Sequence, residues 1–187
     1  MNKNKISKFL CLLLRHQPEK ANLNMDEHGW VSVKQLIAGV NSLGEFTITK
    51  QLLEEIVDED EKGRYRFNDN HDKIKCCQGH SVSWVIPELD YRKPPEYLYH
   101  GTNTDALKGI MTSGSINKMK RHAVHMQADI SKAWQSAERW NNKTPVVLKI
   151  SANDMCKDGY QFGVTENDVW CIENIPVKYI CDQIYSK

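Results

Sequence analysis

The amino-acid sequence predicts an α+β protein in two parts, and three observations support this prediction. The first half has three helical segments, one indicated by apolar residues at helical spacing and two by N-cap residues, and an alternating segment typical of a β-hairpin follows. The second half has short apolar strands and only two helical segments, without sustained βαβ alternation. The segment 87–97 between them is rich in prolines and charges and predicts a linker. We therefore predict domains at 1–90 and 91–187.

The first helix is predicted at 6–14, where large apolar side chains repeat at helical spacing. Pro18 limits its extent, because a proline ring cannot continue a helix. Arg15 and His16 then lie on the last turn. A cation there complements the negative end of the helix, which gives both residues a purely structural explanation as well.

Two further helices are predicted from residue types that cap helix N-termini. Ser32 begins one at 33–38, and Thr49 begins another at 50–57. Charged and aromatic residues then alternate on either side of a turn-rich stretch, so that 64–77 predicts a β-hairpin. Three helices followed by a hairpin indicate a winged-helix module.

The second half predicts a mixed α/β arrangement. Strands are expected at 98–100, 123–126, 146–150, 161–164, 169–172 and 179–180, and helices at 105–112 and 130–140.

Composition excludes several classes of protein. A net charge of +1 is too small to hold a nucleic acid by its bulk field, so any RNA must be recognised by a few placed arginines. The apolar run at 9–14 is too short to span a membrane, and we predict a cytoplasmic protein. The six cysteines have no paired spacing and predict reduced thiols. A zinc site built from cysteines and histidines at 71–80 lacks the usual ligand spacing, so no metal is predicted.

Two histidines stand out in the second half. The first, His100, ends a predicted strand and precedes Gly101, whose missing side chain lets backbone approach a ligand, and the hydroxyl of Thr102. The second, His125, lies on another predicted strand, with Arg121 just upstream. Two histidines on strands of one small sheet can face a common cleft.

Seven short motifs, in order across both halves, together resemble the RNA 2′-phosphotransferase family. They are Leu14-Arg15-His16-x-Pro18, Gly29-Trp30, Lys62-Gly63-Arg64-Tyr65, Gln78-Gly79-His80-Ser81, Tyr99-His100-Gly101-Thr102, Arg121-x-x-Val124-His125 and Asn167-x-Val169-Trp170. The resemblance implies a winged-helix, RNA-binding lobe followed by an ADP-ribosyltransferase-like mixed α/β lobe that binds NAD. Its catalytic quartet matches Arg15, His16, Arg64 and Arg121, and its NAD-binding residues match His100, Gly101, Thr102 and His125. Because the quartet draws on both lobes, the active site is expected in the cleft between them.

The activity that the resemblance implies removes an internal 2′-phosphate from an RNA. NAD is consumed as co-substrate, and the reaction passes through an ADP-ribosylated RNA to 2′-hydroxyl RNA, nicotinamide and ADP-ribose 1″,2″-cyclic phosphate. Arginines suit this task, because the phosphate is already ionised and needs orientation and charge stabilisation rather than a general base. No metal is then required. The expected substrate is tRNA-like, from tRNA splicing, and the enzyme is expected to be a monomer.

Three positions depart from the family pattern, and two other functions stay open. Lys75 replaces a usual arginine, Gln127 a serine and Asp168 a glycine, so Gln127 and Asp168 are not assigned to the NAD site. One alternative is a mono-ADP-ribosyltransferase that stops after the first step, although the activating glutamate of such enzymes is not found in the final strands. The other is a winged-helix nucleic-acid binder that senses NAD, which the acidic segment 50–60 disfavours.

Overall fold

Six α-helices and four antiparallel sheets make up the part of the chain described by a computed structural model, residues 2–140 and 142–186, and they confirm the mixed α+β class. The chain divides into two compact units, Met1–Glu88 and Leu89–Lys187. Each unit has its own hydrophobic core. No helix in the described ranges is long and apolar enough to cross a membrane.

In its described residues, 2–88, the first unit contains three α-helices and three short strands. They are α1 (Lys3–Arg15), β1 (Val31–Ser32), α2 (Val33–Leu43), α3 (Lys50–Asp58), β2 (Tyr65–Phe67) and β3 (Lys73–Cys76). The predicted caps are confirmed, since the side chain of Ser32 accepts from the backbone N–H of Gln35 and that of Thr49 from Leu52. Helix α2 runs further than predicted, to Leu43, and is followed by Gly44, whose φ of +73° is the left-handed conformation common after helices.

The predicted hairpin is also confirmed. Strands β2 and β3 pair antiparallel, and β1 pairs with the other edge of β3. Ile74 of β3 and Tyr65 of β2 share a buried core with the apolar face of α1, where Leu10, Leu13 and Leu14 are all fully buried. Burial of such a side chain is worth roughly 1.5–3 kcal/mol, so this face holds the C-terminal end of α1 against the sheet.

The second unit contains nine strands and three helices in the described part of the chain. They are β4 (Asp90–Tyr91), β5 (Tyr97–Asn103), α4 (Thr104–Ser113), β6 (Ser115–Asn117), β7 (Val124–Met126), α5 (Ile130–Ala137), β8 (Pro145–Ser151), α6 (Ala152–Lys157), β9 (Gly163–Val164), β10 (Trp170–Ile172), β11 (Asn174–Pro176) and β12 (Ile180–Tyr185).

Three antiparallel sheets organise these strands, in the orders β12-β8-β5, β4-β9-β10-β7 and β11-β6. An isolated bridge between Tyr99 and Gln127 joins β5, an edge strand of the first, to the end of β7, an edge strand of the second. The main core of the unit includes fully buried Leu98, Leu148 and Ile150. The expected single small sheet carrying both histidines is therefore wrong, because β5 and β7 belong to different sheets.

Several elements were not predicted from the sequence. The proline-rich segment 87–97 contains β4, which pairs with β9, and the short elements α6, β6 and β11 carry too few residues to show a period. Helix α5 ends at Ala137 rather than at the predicted Trp140. Short strands depend on pairing partners that are distant in the chain, and a local pattern does not reveal those partners.

Candidate active site

Arg15 and His16 stand at the C-terminal end of α1. Arg15 is the last helical residue, and His16 is the C-cap, whose backbone N–H donates to the carbonyl of Leu12. The imidazole Nδ1 of His16 lies 2.8 Å from the hydroxyl of Ser81, and the backbone N–H of Ser81 donates to the carbonyl of Arg15 at 2.9 Å. Two motifs that are far apart in sequence therefore meet here. Ser81 was not among the predicted site residues, although its motif was recognised.

The guanidinium of Arg15 carries hydrogen-bond donors that the described part of the protein does not satisfy. Its Nε and Nη2 atoms are buried and have no hydrogen-bond partner there. Burial by itself opposes the charge, but the neighbouring sulfurs of Cys76 and Cys11 hold the pKa of Arg15 above its ordinary value. A charged group with unsatisfied buried donors is costly unless an anion completes it. The geometry of Arg15 therefore fits an anionic ligand such as a phosphate.

Arg64 begins the hairpin of the first unit, directly before β2. Its backbone N–H and its Nη1 both donate to the carboxylate of Asp60, and its carbonyl accepts from the backbone N–H of Cys77 at 2.9 Å. The Arg64 side chain is 33% exposed, whereas that of Asp60 is only 3% exposed. Among the acidic residues 58–61, the Asp60 side chain is therefore buried against Arg64 rather than solvated. Its spacing of four residues from Arg64 was the available signal, but that spacing alone is common.

The Gly29-Trp30 motif packs against His80 and Lys75 of the first unit. Gly29 has a φ of +82°, and a side-chain carbon added there would lie 2.9 Å from Nε2 of His80. The ammonium of Lys75, which replaces the usual arginine, lies 4.7 Å from the centre of the Trp30 ring and pairs with Glu88. Gly29 and Trp30 therefore have packing roles in the first unit.

In the second unit the structure brings His100 and His125 together. The Nδ1 atom of His100 lies 2.9 Å from the backbone carbonyl of His125. Tyr99 and Gln127 exchange two backbone hydrogen bonds of 2.8 Å each, which hold β5 beside β7. Gln127 takes part in this pairing through its backbone, so a glutamine can stand in place of the usual serine without loss of the pairing.

The hydrogen bond to His125 determines the tautomer of His100. A carbonyl oxygen only accepts, so Nδ1 carries the proton, and in the neutral ring Nε2 is an acceptor. Burial lowers the pKa of His100, and the hydrogen bond to the carbonyl of His125 only partly opposes this. The ring is therefore neutral at pH 7. In this tautomer Nε2 can accept a hydrogen bond from a ligand hydroxyl.

The lowered pKa of His100 makes the stability of the protein depend on pH. Below about 6.5, the ordinary pKa of histidine, the unfolded chain takes up a proton that the folded chain refuses, so stability falls as the pH falls through this range. We expect His100→Asn, which does not titrate there, to lose less thermal stability than the wild type between about pH 7.5 and about pH 5.5. Thermal unfolding across this range tests it, and equal losses in both proteins would contradict it.

Gly101 and Thr102 continue β5 beyond the histidine. A side-chain carbon at Gly101 would lie 2.1 Å from the carbonyl oxygen of Ala133 and 2.8 Å from the backbone nitrogen of Ala137, both in α5. The missing side chain therefore allows a helix to approach the strand, a packing reason that is independent of any ligand. Thr102 is buried. The assignment of both residues to NAD binding stays a prediction.

Arg121 lies on an exposed bend before β7, where its backbone N–H donates to the carbonyl of Lys118 at 2.9 Å. His122 and Ala123, the next residues along the chain, line a cavity of about 570 Å³ in the second unit. The place of Arg121 in one catalytic set with Arg15, His16 and Arg64 stays a prediction.

The turn that contains Asp168 explains why a glycine is customary there. Asp168 has a φ of +59°, and its backbone N–H donates to the carbonyl of Thr165 at 3.0 Å. The hydroxyl of Thr165 also donates to the side chain of Asn167 at 2.8 Å. Aspartate is one of the few residues with a side chain that tolerate the left-handed region. The departure from the pattern therefore leaves the turn intact.

No metal site is seen in the described ranges, where no three histidine, cysteine, aspartate or glutamate side chains are grouped as ligands. That the reaction needs no metal stays a prediction.

Comparisons with known proteins agree along almost the whole chain. Residues 1–174 match the family described as RNA 2′-phosphotransferase, Tpt1 / KptA family. A probable RNA 2′-phosphotransferase of Fusobacterium nucleatum is 41% identical over 179 residues, which cover 96% of this chain and 98% of that protein. That of Flavobacterium johnsoniae is 39% identical over 96% of this chain and 98% of its own length. That of Nostoc punctiforme is also 39% identical, over 94% of this chain and 94% of its own length.

Proposed function

This chain belongs to the RNA 2′-phosphotransferase family and is a transferase, and on that premise we propose that it uses NAD to remove an internal 2′-phosphate from a tRNA-like RNA. The observation that carries the proposal furthest is the buried guanidinium of Arg15, whose Nε and Nη2 have no hydrogen-bond partner in the described protein. Because the family is described as acting on an RNA 2′-phosphate, the anion proposed to bind Arg15 is an RNA phosphate. The products are 2′-hydroxyl RNA, nicotinamide and ADP-ribose 1″,2″-cyclic phosphate.

The proposed reaction has two displacements. NAD supplies an electrophilic ribose carbon, C1″, with nicotinamide as its leaving group. An oxygen of the RNA 2′-phosphate forms a bond to C1″ as the bond to nicotinamide breaks, which gives an ADP-ribosylated RNA. The 2″-hydroxyl then attacks the phosphorus and loses its proton, and the RNA 2′-oxygen leaves and gains one. Negative charge on the phosphoryl oxygens increases in this second step.

The residues of the first unit are suited to this second step. Arg15 and Arg64 are proposed to bind the phosphoryl oxygens, because guanidinium groups bind such oxygens with paired, directional donors. His16, held by Ser81, is proposed to orient the phosphate or to carry the proton to the leaving RNA oxygen. Arg121 completes the catalytic set in the proposal.

The second unit is proposed to bind NAD. The neutral imidazole of His100 offers an acceptor for a ribose hydroxyl, and His125, Gly101 and Thr102 are assigned to the same site by the motifs that they share with the family. The order of helices and hairpin in the first unit supports a winged-helix lobe, and the edge-to-edge sheets of the second support an ADP-ribosyltransferase-like lobe. A cytoplasmic, monomeric enzyme stays a prediction.

The test incubates the protein with NAD and a short RNA that carries one internal, ³²P-labelled 2′-phosphate, without added metal. We expect the label to move to ADP-ribose cyclic phosphate, with no release when NAD is omitted. Label retained on an ADP-ribosylated RNA would indicate a transferase that stops after the first step. RNA that NAD leaves unchanged would contradict the proposal.

A further inference from the structure

The loop between α3 and β2 is folded around one buried carboxylate. Helix α3 ends at Asp58, and the chain turns back at Gly63, which has a φ of +53° and donates its N–H to the carbonyl of Asp60 at 2.8 Å. The Asp60 side chain faces inward and accepts both from the backbone N–H of Arg64 and from its Nη1. Asp60 thus holds a base four positions later in the chain, through both its backbone N–H and its guanidinium.

Burial makes this pair different from the surface ion pairs nearby. The Asp60 side chain is 3% exposed, whereas those of Lys3 and Glu59, which also pair, are 35% and 61% exposed. An exposed pair contributes little because water competes for both partners, but a buried carboxylate requires its donors. The buried carboxylate of Asp60 is therefore stable only while Arg64 donates to it, and this holds Arg64 in one conformation.

The contact leaves Arg64 available to a ligand. The carboxylate takes one guanidinium nitrogen, Nη1, and the Arg64 side chain is still 33% exposed. Arg64 lines a cavity of about 310 Å³ in the first unit, together with Ser7, Lys62 and the acidic residues 59–61. A planar guanidinium that is fixed along one edge presents its remaining donors in a constant direction.

We propose that Asp60 is a positioning residue, which fixes the backbone and the guanidinium of Arg64 so that this arginine is aligned for phosphoryl transfer. The inference rests on the proposed function, because it takes Arg64 to act on the phosphate. Alignment matters chiefly in the transition state. A mobile arginine still attracts the phosphate by its charge, so loss of Asp60 affects kcat more than KM for the RNA.

The test is a double-mutant cycle on the full chain with Asp60→Ala, Arg64→Ala and the two combined. We expect Asp60→Ala to lower kcat by about 10- to 100-fold, as a misplaced catalytic group does, with a smaller change in KM. The double variant is expected to be no slower than Arg64→Ala alone. Asp60→Asn keeps an oxygen that can accept from Arg64 and is expected to recover part of the activity.

The matched control is Asp58→Ala, an exposed carboxylate two residues earlier, which is expected to behave as the wild type. Thermal unfolding shows which variants are folded. If Asp60→Ala is not folded, the isosteric variant Asp60→Asn takes its place in the test. The inference would be overturned if the losses from Asp60→Ala and Arg64→Ala were independent and multiplied in the double variant. A lower KM in Asp60→Ala would also overturn it, because it would indicate that the Asp60 carboxylate competes with the phosphate for Arg64. A wild-type protein that is inactive with NAD would overturn the proposed function, and this inference with it.

Discussion

Arg64→Ala is expected to slow release of the RNA 2′-phosphate by about 100- to 1,000-fold, the usual cost of removing one donor that stabilises transition-state charge. The physical reason is the negative charge that gathers on the phosphoryl oxygens in the proposed second displacement. Single-turnover assays with labelled RNA measure it, and they separate the two steps. ADP-ribosylated RNA is expected to accumulate in the variant, because the second displacement needs this stabilisation most.

Arg66→Ala is the matched control for Arg64→Ala. Arg66 has the same side chain, lies two residues further along, and is exposed on β2. It is expected to leave both steps near the wild-type rates. Arg64→Lys keeps the charge but loses the planar fork, and we expect it to recover only part of the activity. An Arg64→Ala variant as fast as the wild type would exclude this arginine from the catalytic set.

Gly101→Ala is expected to destabilise the second unit by about 3 kcal/mol or more, because overpacking against atoms that cannot move is costly. The added carbon would lie 2.1 Å from the carbonyl oxygen of Ala133, which is helix backbone rather than a flexible side chain. Either β5 or α5 must then shift. Thermal unfolding is expected to show a loss of roughly 6 to 12 °C in Tm.

Gly109→Ala provides the opposite case in the same unit. Gly109 lies in α4, and a side-chain carbon there would meet nothing within 4 Å. Alanine favours a helix over glycine by about 1 kcal/mol, so this variant is expected to be slightly more stable than the wild type. If Gly101→Ala were as stable as Gly109→Ala, the close approach of α5 to β5 would be contradicted. If Gly101→Ala remained stable but bound NAD poorly, the glycine would serve the ligand instead.

The elements that could be predicted from the sequence are those whose signal is local. Helix α1 follows from apolar residues at helical spacing, α2 and α3 from the caps Ser32 and Thr49, and the hairpin from alternation around a turn. These signals act over a few residues and need no distant partner. The same holds for the family, because its motifs are short runs of residues that can be read without a structure.

The sequence by itself thus determined the α+β class, most of the longer elements and membership of the RNA 2′-phosphotransferase family. Only the tertiary structure decided that His100 bonds to the carbonyl of His125 on a strand of another sheet, and that Ser81 meets His16. It also decided which carboxylate of the acidic run is buried against Arg64. The physical reason is that burial and hydrogen bonding depend on groups that folding brings together. Neighbouring residues of the same type can therefore be exposed to water or buried in the interior.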